Sequence, residues 1–257
     1  MALTDGLVAY YNCDETAGTT AEDSLNAHDG TITGATINQA GHLGRAYLFE
    51  GSPDVVNCGA FALGVNSGSI NIWVNSDTTT DYVAAIGKYY NQHSIIIRNT
   101  GYWTAVWNNT TVFGSVAVNT SAFQMVTVTY DGSLGTNNLK IFVNGTNVGQ
   151  ENLTGNNTHD ADDWGIGSDN LASSYFSGII DEVGFWNRAL TSAEVTSLYN
   201  GGTGLTYPFT SYVFAGVLYV WSGSAWIPRP LAVDNTGFIT RPTWFWEGTE
   251  WKLTQSF

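Results

Sequence analysis

Apolar and polar residues alternate along many short segments of this chain, and the clearest segment is residues 178–199. Between 179 and 186, one predicted face carries the odd-numbered positions and the other carries the even-numbered ones, which is the period-2 pattern of a strand. Thr191 then provides a helix N-cap, and Glu194 three residues later completes a capping box ahead of Val195 and Leu198. The pattern predicts one strand followed by one short helix that ends at residues 201–202.

Turn signals recur about every ten residues through the first 200 positions, which is typical of an antiparallel β-sandwich. Gly, Thr, Ser and Asn are frequent, as expected for many short strands joined by turns. The Gly- and Pro-containing run 202–208 marks a boundary. The chain is therefore predicted to be all-β, with one large domain over residues 1–204 and a small module over 205–257.

The C-terminal segment contains an internal repeat. Trp221, Gly223 and Trp226 recur at a constant offset of 25 as Trp246, Gly248 and Trp251. Each Trp-x-Gly-x-x-Trp core predicts a β-hairpin in which Gly lies in the turn and the two Trp meet across the strands. The stretch resembles Trp-rich repeats at the ends of bacteriophage structural proteins.

Two interpretations of this tail are open, an assembly module and a small self-contained β-domain. We expect assembly, because the segment carries more aromatic side chains than a tiny core can bury. The predicted assembly interface consists of Trp221, Trp226, Trp244, Trp246 and Trp251.

The large domain contains a series of ordered motifs. They cover residues 7–15, 20–32, 46–51 with 54–56, 124–132 with 139–145, and 164–167, followed by the strand and helix of 178–199. In this order they resemble the laminin-G-like, concanavalin-A-like jelly-roll family of lectins and glucanases. The resemblance implies an antiparallel jelly-roll β-sandwich with a small C-terminal β-hairpin module. It does not imply a function, because the fold hosts lectins, receptors, hydrolases and virion parts.

The formal net charge of −14 and the absence of a Lys/Arg cluster argue against a nucleic-acid partner. The tail from residue 205 onward is neutral, so the acidic excess lies in the jelly roll. No apolar run is long enough to span a membrane, and the first five residues do not resemble a signal peptide. Cys13 and Cys58 have two interpretations, a disulfide and two buried thiols, of which the thiols are favoured.

Catalysis is not expected. Glucanases of the resembled family carry a Glu-x-Asp-x-x-Glu motif that places two carboxylates on one strand face, and no such motif occurs here. Asp181 and Glu182 are adjacent, so a regular strand would direct them to opposite faces. No nucleophile-elbow motif is present either.

A structural Ca²⁺ is the better candidate for site chemistry. The resemblance implies that the loop with Asp23, Asn26 and His28 lies near Asp181, and that a Ca²⁺ joins them through carboxylate and backbone oxygens. The alternative is a metal-free Asx-turn around Asp23. A second acidic run, residues 159–163, is expected to be a solvated loop, with a ligand-binding cation as the alternative.

Aromatic residues suggest a sugar platform. Flat rings that stack on sugars, edged by hydrogen-bonding groups, are a common design for glycan recognition. The candidate residues are Tyr89, Tyr90, His93, Arg98, Trp103 and Trp107. In the competing interpretation, Trp103 and Trp107 fill the core between the sheets, and this is favoured for at least one of them.

Two classes of function follow. The first is a virion-exposed bacteriophage structural protein, such as a capsid decoration, head fibre or tail fibre, that assembles with itself (as a trimer, for example) or with other virion proteins and holds host surface glycans. The second is a carbohydrate-binding module of a bacterial cell-surface or secreted system. The apparent absence of an export signal favours the first, because a virion part leaves the cell by lysis.

Overall fold

The computed structural model describes residues 1–80, 82–88, 92–98, 100–154, 161–169 and 174–209, together with the backbone of four strands between 213 and 254. The chain divides into two compact units, Met1–Phe209 and Thr210–Phe257. The predicted boundary after residue 204 lies five residues before this division. In the part of the chain that the structure describes, no helix has the length and apolarity needed to cross a membrane.

The first unit is a sandwich of two antiparallel sheets, as the resemblance implied. The first sheet has the strand order β14-β13-β12-β7-β16-β5-β4, with β1 also paired to β16. Its strands are β1 (Leu7–Tyr11), β4 (Thr36–Ala40), β5 (Arg45–Glu50), β7 (Ser67–Ser76), β12 (Gln124–Asp131), β13 (Leu139–Val143), β14 (Thr146–Glu151) and β16 (Ser177–Trp186).

The second sheet has the order β11-β10-β9-β8-β15-β6-β3-β2. Its strands are β2 (Thr20–Ala21), β3 (Gly30–Thr33), β6 (Val55–Ala60), β8 (Val83–Lys88), β9 (His93–Ile97), β10 (Tyr102–Trp107), β11 (Thr110–Ala117) and β15 (Asp163–Ile166).

The inward faces of the two sheets form one large core. In the second sheet, alternate residues such as Ile95, Ile97 and Ala105 are buried in this core. Ile96, between Ile95 and Ile97, and Val106, which follows Ala105, belong with Ala84 to a separate cluster. Because successive side chains on a strand point to opposite faces, this cluster lies on the outward face of the second sheet.

The outward face of the first sheet is covered by the predicted helix. Helix α1 (Ser192–Tyr199) buries Val195 and Leu198 in a second apolar cluster with Trp73 and Trp186. The capping box is confirmed, since the Thr191 hydroxyl accepts from the Glu194 backbone and the Glu194 carboxylate accepts from the Thr191 backbone. The helix ends at Asn200, which adopts the left-handed conformation, and a short 3₁₀ turn, Asn200–Gly202, follows.

Glu194 also holds the start of the chain in place. Its carboxylate forms a two-pronged ion pair with Arg188, at 2.9 and 2.8 Å. The same guanidinium donates to the backbone carbonyls of Ala2 and Asp5. Partial burial alone would raise the pKa of Glu194, but the hydrogen bonds from Arg188 and Thr191 outweigh it, and the pKa is lowered.

Strand β16 contains a β-bulge that changes its predicted alternation. The pairing of β16 with β7 shifts between Asp181 and Gly184, and Glu182 has a φ of +51°. Ile180 is a core residue before the bulge, whereas Val183 and Phe185 are core residues after it. The extra residue of the bulge accounts for this change of phase.

The second unit contains two antiparallel hairpins. One joins β17 (Val213–Trp221) to β18 (Trp226–Val233), and the other joins β19 (Thr243–Trp246) to β20 (Trp251–Thr254). Trp221 is the register partner of Trp226, and Trp246 is the partner of Trp251. The predicted hairpins, with two Trp opposite each other in each, are therefore confirmed in the backbone.

We expect Glu194→Gln to lower the free energy of unfolding by about 1–3 kcal/mol at pH 7, because the change weakens a cap and a charge-assisted bidentate pair. The pKa of Glu194 is lower in the folded chain, so this stabilisation is complete above the unfolded-state pKa of about 4.3. It is lost as the pH falls through the folded-state value. Urea unfolding at pH 7 and pH 3 measures the loss of unfolding free energy in the variant and its dependence on pH.

Glu22→Gln is the matched control, since Glu22 is exposed. An equal difference between wild type and Glu194→Gln at the two pH values would contradict the assignment to the ionised carboxylate.

Candidate functional site

The two tryptophans of the predicted sugar platform lie in the core. Trp103 and Trp107 are both 0% exposed. The Trp103 indole donates to Gln124 at 2.8 Å, and the Trp107 ring packs edge-on against His93 with centroids 4.7 Å apart. The prediction that these three side chains form a sugar-stacking surface is wrong, because none of their ring faces reaches solvent. Both tryptophans fill the space between the sheets, as the competing interpretation held.

The remaining platform residues have different outcomes. Tyr89 and Tyr90 lie outside the described residues. Arg98, which follows the last residue of β9, is on the outward face of the second sheet. Of the acidic run at 159–163, residues 159 and 160 also lie outside the described residues, and Asp163 is exposed with its carboxylate accepting from Asn57 at 3.0 Å.

Arg98 lies between two aromatic rings that the sequence analysis did not select. Its guanidinium carbon is 5.4 Å from the Tyr82 ring centroid and 5.7 Å from that of Phe113. Phe113 is 51% exposed, and Tyr102 at the start of β10 is 39% exposed. The strand register was the missing information, since Phe113 is the partner of Thr104, whose side chain points away from the core.

Beside these side chains, the outward face of the second sheet has a floor of buried residues. Ser94, Ile96, Thr104 and Val106 lie on this face of β9 and β10, and each is buried. We call the set formed by Tyr82, Arg98, Tyr102 and Phe113, with this floor, the aromatic–arginine face. It offers exposed ring surface and one cation, and Arg98 is the one residue of the predicted platform that it contains.

Asp23 does not have free oxygens for a metal ion. One carboxylate oxygen accepts from the backbone of Tyr10 at 2.8 Å and Leu25 at 3.1 Å. The other accepts from the backbone of Ala27 at 3.1 Å and His28 at 3.0 Å. The carboxylate is thus the centre of a tight turn, which is the metal-free alternative for this loop.

The other two predicted loop ligands also take part in the structure of the loop. Asn26 occupies the left-handed region at φ +57°, as the tight turn requires. The His28 carbonyl accepts from the Tyr11 hydroxyl, and its ring packs against Phe61 with centroids 4.7 Å apart. These groups organise the loop itself, and its joining to Asp181 through a Ca²⁺ stays a prediction.

Asp181 lies at a junction between two strands. One edge of β16 pairs with β5 up to Ile180 and with β1 from Val183 onward. Asp181 and Glu182 fall in the gap, and the hairpin loop between β4 and β5 closes it. The Leu43 backbone donates to Asp181 Oδ2 at 2.9 Å, and a Cβ added at Gly41 would lie 2.7 Å from the same oxygen.

Both acidic side chains of this junction are buried, Asp181 at 0% and Glu182 at 1% exposure. Glu182 accepts from the Tyr10 hydroxyl, and Tyr10 belongs with Trp73, the partner of Asp181, to the outward cluster of the first sheet. The two carboxylates therefore face the same side. The prediction of opposite faces is wrong because Glu182 is itself in the bulge, with a φ of +51°, so the regular alternation is broken directly after Asp181.

Burial dominates the protonation of this pair. It raises the pKa of Asp181 to about 8 and that of Glu182 to about 7. Hydrogen bonds from the Leu43 backbone to Asp181, and from Tyr10 and Thr206 to Glu182, oppose the rise. Asp181 Oδ1 is buried and has no hydrogen-bond partner among the described residues.

Asp14 lies close to the same hairpin. Its carboxylate accepts from the Arg45 backbone at 2.7 Å, and its negative charge adds to the raised pKa of both Asp181 and Glu182. Across the described residues, no three His, Cys, Asp or Glu side chains are grouped closely enough to hold a metal ion by themselves. A cation at the junction would need backbone carbonyl or water oxygens as well.

The two cysteines are buried free thiols. Burial raises the pKa of Cys58 to about 12, and it also raises the pKa of Cys13. Thiols in this state are poor nucleophiles. The thiol interpretation is the one that the structure shows.

Solved structures with the same fold include several carbohydrate-related proteins. Domain 4 of AbnA, a GH43 extracellular arabinanase from Geobacillus stearothermophilus in complex with arabinotriose, matches with a TM-score of 0.58 and 20% identity, over 74% of this chain and 96% of that one. Trypanosoma rangeli sialidase in complex with sialic acid matches with a TM-score of 0.60 and 15% identity, over 78% of this chain and 34% of that one.

A third similar structure is the binding domain of botulinum neurotoxin DC in complex with rat synaptotagmin II. It matches with a TM-score of 0.57 and 12% identity, over 77% of this chain and 52% of that one. At these identities the structures establish a shared fold. No curated protein matches the sequence.

The family comparison concerns the region that contains most of both sheets. Residues 50–196 match the model of the concanavalin A-like lectin/glucanases superfamily, which is more than half of the chain. The two-sheet sandwich and the sequence match agree. The chain therefore belongs to the concanavalin A-like lectin/glucanases superfamily.

Proposed function

We propose that the sandwich is a non-catalytic glycan-binding domain, and that it binds through the aromatic–arginine face. The observation that carries this proposal is the exposure of Phe113 and Tyr102 beside Arg98, on a floor of buried residues. Ring faces stack on the apolar side of a sugar, and flanking polar groups bind its hydroxyls. The lectin and glucanase superfamily of the chain supports this class of ligand.

The junction supports binding rather than hydrolysis. Glycoside hydrolysis uses two carboxyl groups on either side of an accessible sugar bond. Asp181 and Glu182 are instead sealed beneath the β4–β5 hairpin and Tyr10, on the opposite side of the sandwich from the aromatic–arginine face. A hydrolase of this fold would require a different pair of acids.

We expect a glycan array to identify a ligand of the full-length chain, and Phe113→Ala to weaken its binding about five- to tenfold through loss of ring stacking. Tyr102→Ala should act in the same direction. Calorimetry with the best glycan measures both effects.

Val65→Ala is the control, because Val65 is also exposed but lies between β6 and β7. The proposal is wrong if Phe113→Ala and Val65→Ala bind equally well, or if the bound glycan is cleaved by the wild type.

The Trp-rich unit is proposed to be an assembly module of a virion-exposed bacteriophage protein, such as a decoration, head-fibre or tail-fibre component. The observation that favours this is the pair of hairpins with matched Trp register, at Trp221–Trp226 and Trp246–Trp251. An isolated two-stranded hairpin is marginal in water, so such repeats gain stability by joining neighbours or copies of themselves. The alternative is a carbohydrate-binding module of a bacterial cell-surface or secreted system.

Deletion of residues 210–257 should leave the sandwich folded with an unchanged melting temperature but convert a symmetric oligomer into a monomer. Deletion from residue 205 should also lower the melting temperature, because residues 205–209 belong to the first unit and pack on the rest of it. The Phe209 ring lies 5.2 Å from the Tyr10 ring and 6.0 Å from the Trp186 ring.

Sedimentation and thermal unfolding of the two truncations and the full chain distinguish these effects. An oligomer that survives deletion of 210–257, or a full-length chain that is monomeric, contradicts the assembly role.

A structural Ca²⁺ is proposed at the junction rather than at the Asp23 loop. The unpartnered, buried Asp181 Oδ1 fits such a cation, since Ca²⁺ binds carboxylate and carbonyl oxygens and offsets buried negative charge. Asp181 and Asp14 would hold it together with backbone carbonyls. When bound, it would supply positive charge and join β16 to the β4–β5 hairpin.

We expect millimolar Ca²⁺ to raise the melting temperature of the full chain by several degrees and EDTA to reverse this, since binding to the native state stabilises it. Asp181→Asn should abolish the response. Asp23→Asn should lower stability, because two backbone donors lose an acceptor, yet it should retain the Ca²⁺ response. An undiminished response in Asp181→Asn, or none in wild type, rejects the site.

A further inference from the structure

Arg98 differs from Arg188, another described arginine of the sandwich. Arg188 uses its guanidinium for an ion pair with Glu194 and for the backbone carbonyls of Ala2, Asp5 and Ala189. Arg98 has no ion pair and no hydrogen-bond acceptor among the described residues, and its Nε is buried without a partner. Its interactions are the two ring contacts with Tyr82 and Phe113.

The position of Arg98 follows from the register of three strands. Ile97 is in the core, so Arg98 points outward, where Ile96 is paired with Ala84 of β8 and Thr104 of β10. Tyr82 precedes β8, and Phe113 is the partner of Thr104 on β11. Tyr82 and Phe113 thus come from segments on either side of β9, and both rings contact the guanidinium.

A guanidinium whose interactions are ring contacts keeps its N–H donors for a ligand. The edge carries parallel N–H donors whose spacing matches the two oxygens of a carboxylate. The terminal Nη donors of Arg98 have no acceptor among the described residues, and an anionic ligand would provide one. The adjacent exposed faces of Phe113 and Tyr102 would contact the ring that bears the carboxylate.

The acidic net charge of the whole chain affects which ligands can approach Arg98. With 22 acidic residues against 8 basic ones, the protein repels anions at long range. At physiological ionic strength this repulsion decays over about 8 Å, so a short-range contact at one unpaired arginine can still select an anionic group. A neutral sugar would leave the guanidinium without a counter-charge.

We infer that the aromatic–arginine face binds a carboxylate-bearing sugar, with the carboxylate on the Arg98 guanidinium and the sugar ring against Phe113. This inference rests on the proposed glycan-binding function and specifies its ligand class. It also gives Arg98 a specificity role that is separable from the stacking role of Phe113.

The test uses the full-length chain and a panel of acidic oligosaccharides: oligogalacturonate, oligomannuronate, a glucuronate-containing oligomer and sialyllactose. Each is paired with the same compound after its carboxyl groups have been reduced to alcohols, and one sulfated neutral oligosaccharide is included. Affinities are measured by calorimetry for wild type, Arg98→Lys, Arg98→Gln and Phe113→Ala. Lys140→Gln is the control, since Lys140 lies on β13 of the first sheet.

We expect at least one acidic glycan to bind wild type and its carboxyl-reduced form to bind at least about tenfold more weakly, as for loss of a charge-assisted bidentate contact. Arg98→Lys should weaken binding of the acidic form about tenfold, because a lysine keeps the charge but not the fork, and Arg98→Gln should weaken it further. Neither Arg98 variant should change binding of the reduced form. Phe113→Ala should weaken binding of both forms.

Three outcomes overturn the inference. Equal binding of the acidic and reduced forms by wild type, with Phe113 still required, rejects the carboxylate contact but leaves the glycan-binding function intact. Selective binding of the sulfated compound rejects the carboxylate as the recognised anion. Binding of no compound, in a chain whose melting temperature is unaltered by any of them, rejects the glycan-binding function together with the inference.

Discussion

The bulge in β16 is the constraint on which the rest of the sandwich depends. This strand pairs along one edge with β7 and along the other first with β5 and then with β1, so it joins the middle of the sheet to the start of the chain. If residues 180–186 formed a regular strand without this bulge, Val183 and Phe185 would point outward and Trp186 would point into the core. The left-handed backbone of a non-glycine residue is the local cost of keeping both halves of the strand in phase with the sheets.

The same bulge explains why two carboxylates are buried together. Each is compensated by a different part of the chain: Asp181 by the backbone of the β4–β5 hairpin, and Glu182 by Tyr10 of β1 and by Thr206. Thr206 belongs to the segment that leads out of the sandwich, and Phe209 of that segment packs on Tyr10. The acidic pair thus connects the closing strand, the first strand and the last residues of the unit.

Much of the fold follows from local sequence patterns, whereas the site depends on long-range register. The capping box at Thr191 and Glu194 and the Trp hairpins were predicted because their signals lie within a few residues of each other. The period-2 pattern of β10 correctly placed Trp103 and Trp107 on one face, but a pattern of two equivalent faces does not identify which one is buried. Phe113 was missed because its position beside Arg98 is set by the pairing of β11 with β10, which the pattern within one strand does not show. The bulge has no compositional signal, since a Glu rarely adopts positive φ and nothing in the sequence marks this one.

The two proposed sites would lie on opposite outward faces of the sandwich. On the first sheet, buried acids at the junction are enclosed by a hairpin and by the C-terminal segment, so a cation bound there would act on folding. On the second sheet, the half-buried Arg98 contacts two aromatic rings, so an anion bound there would act on recognition. Because the core separates the two faces, changes at one are expected to be additive with changes at the other.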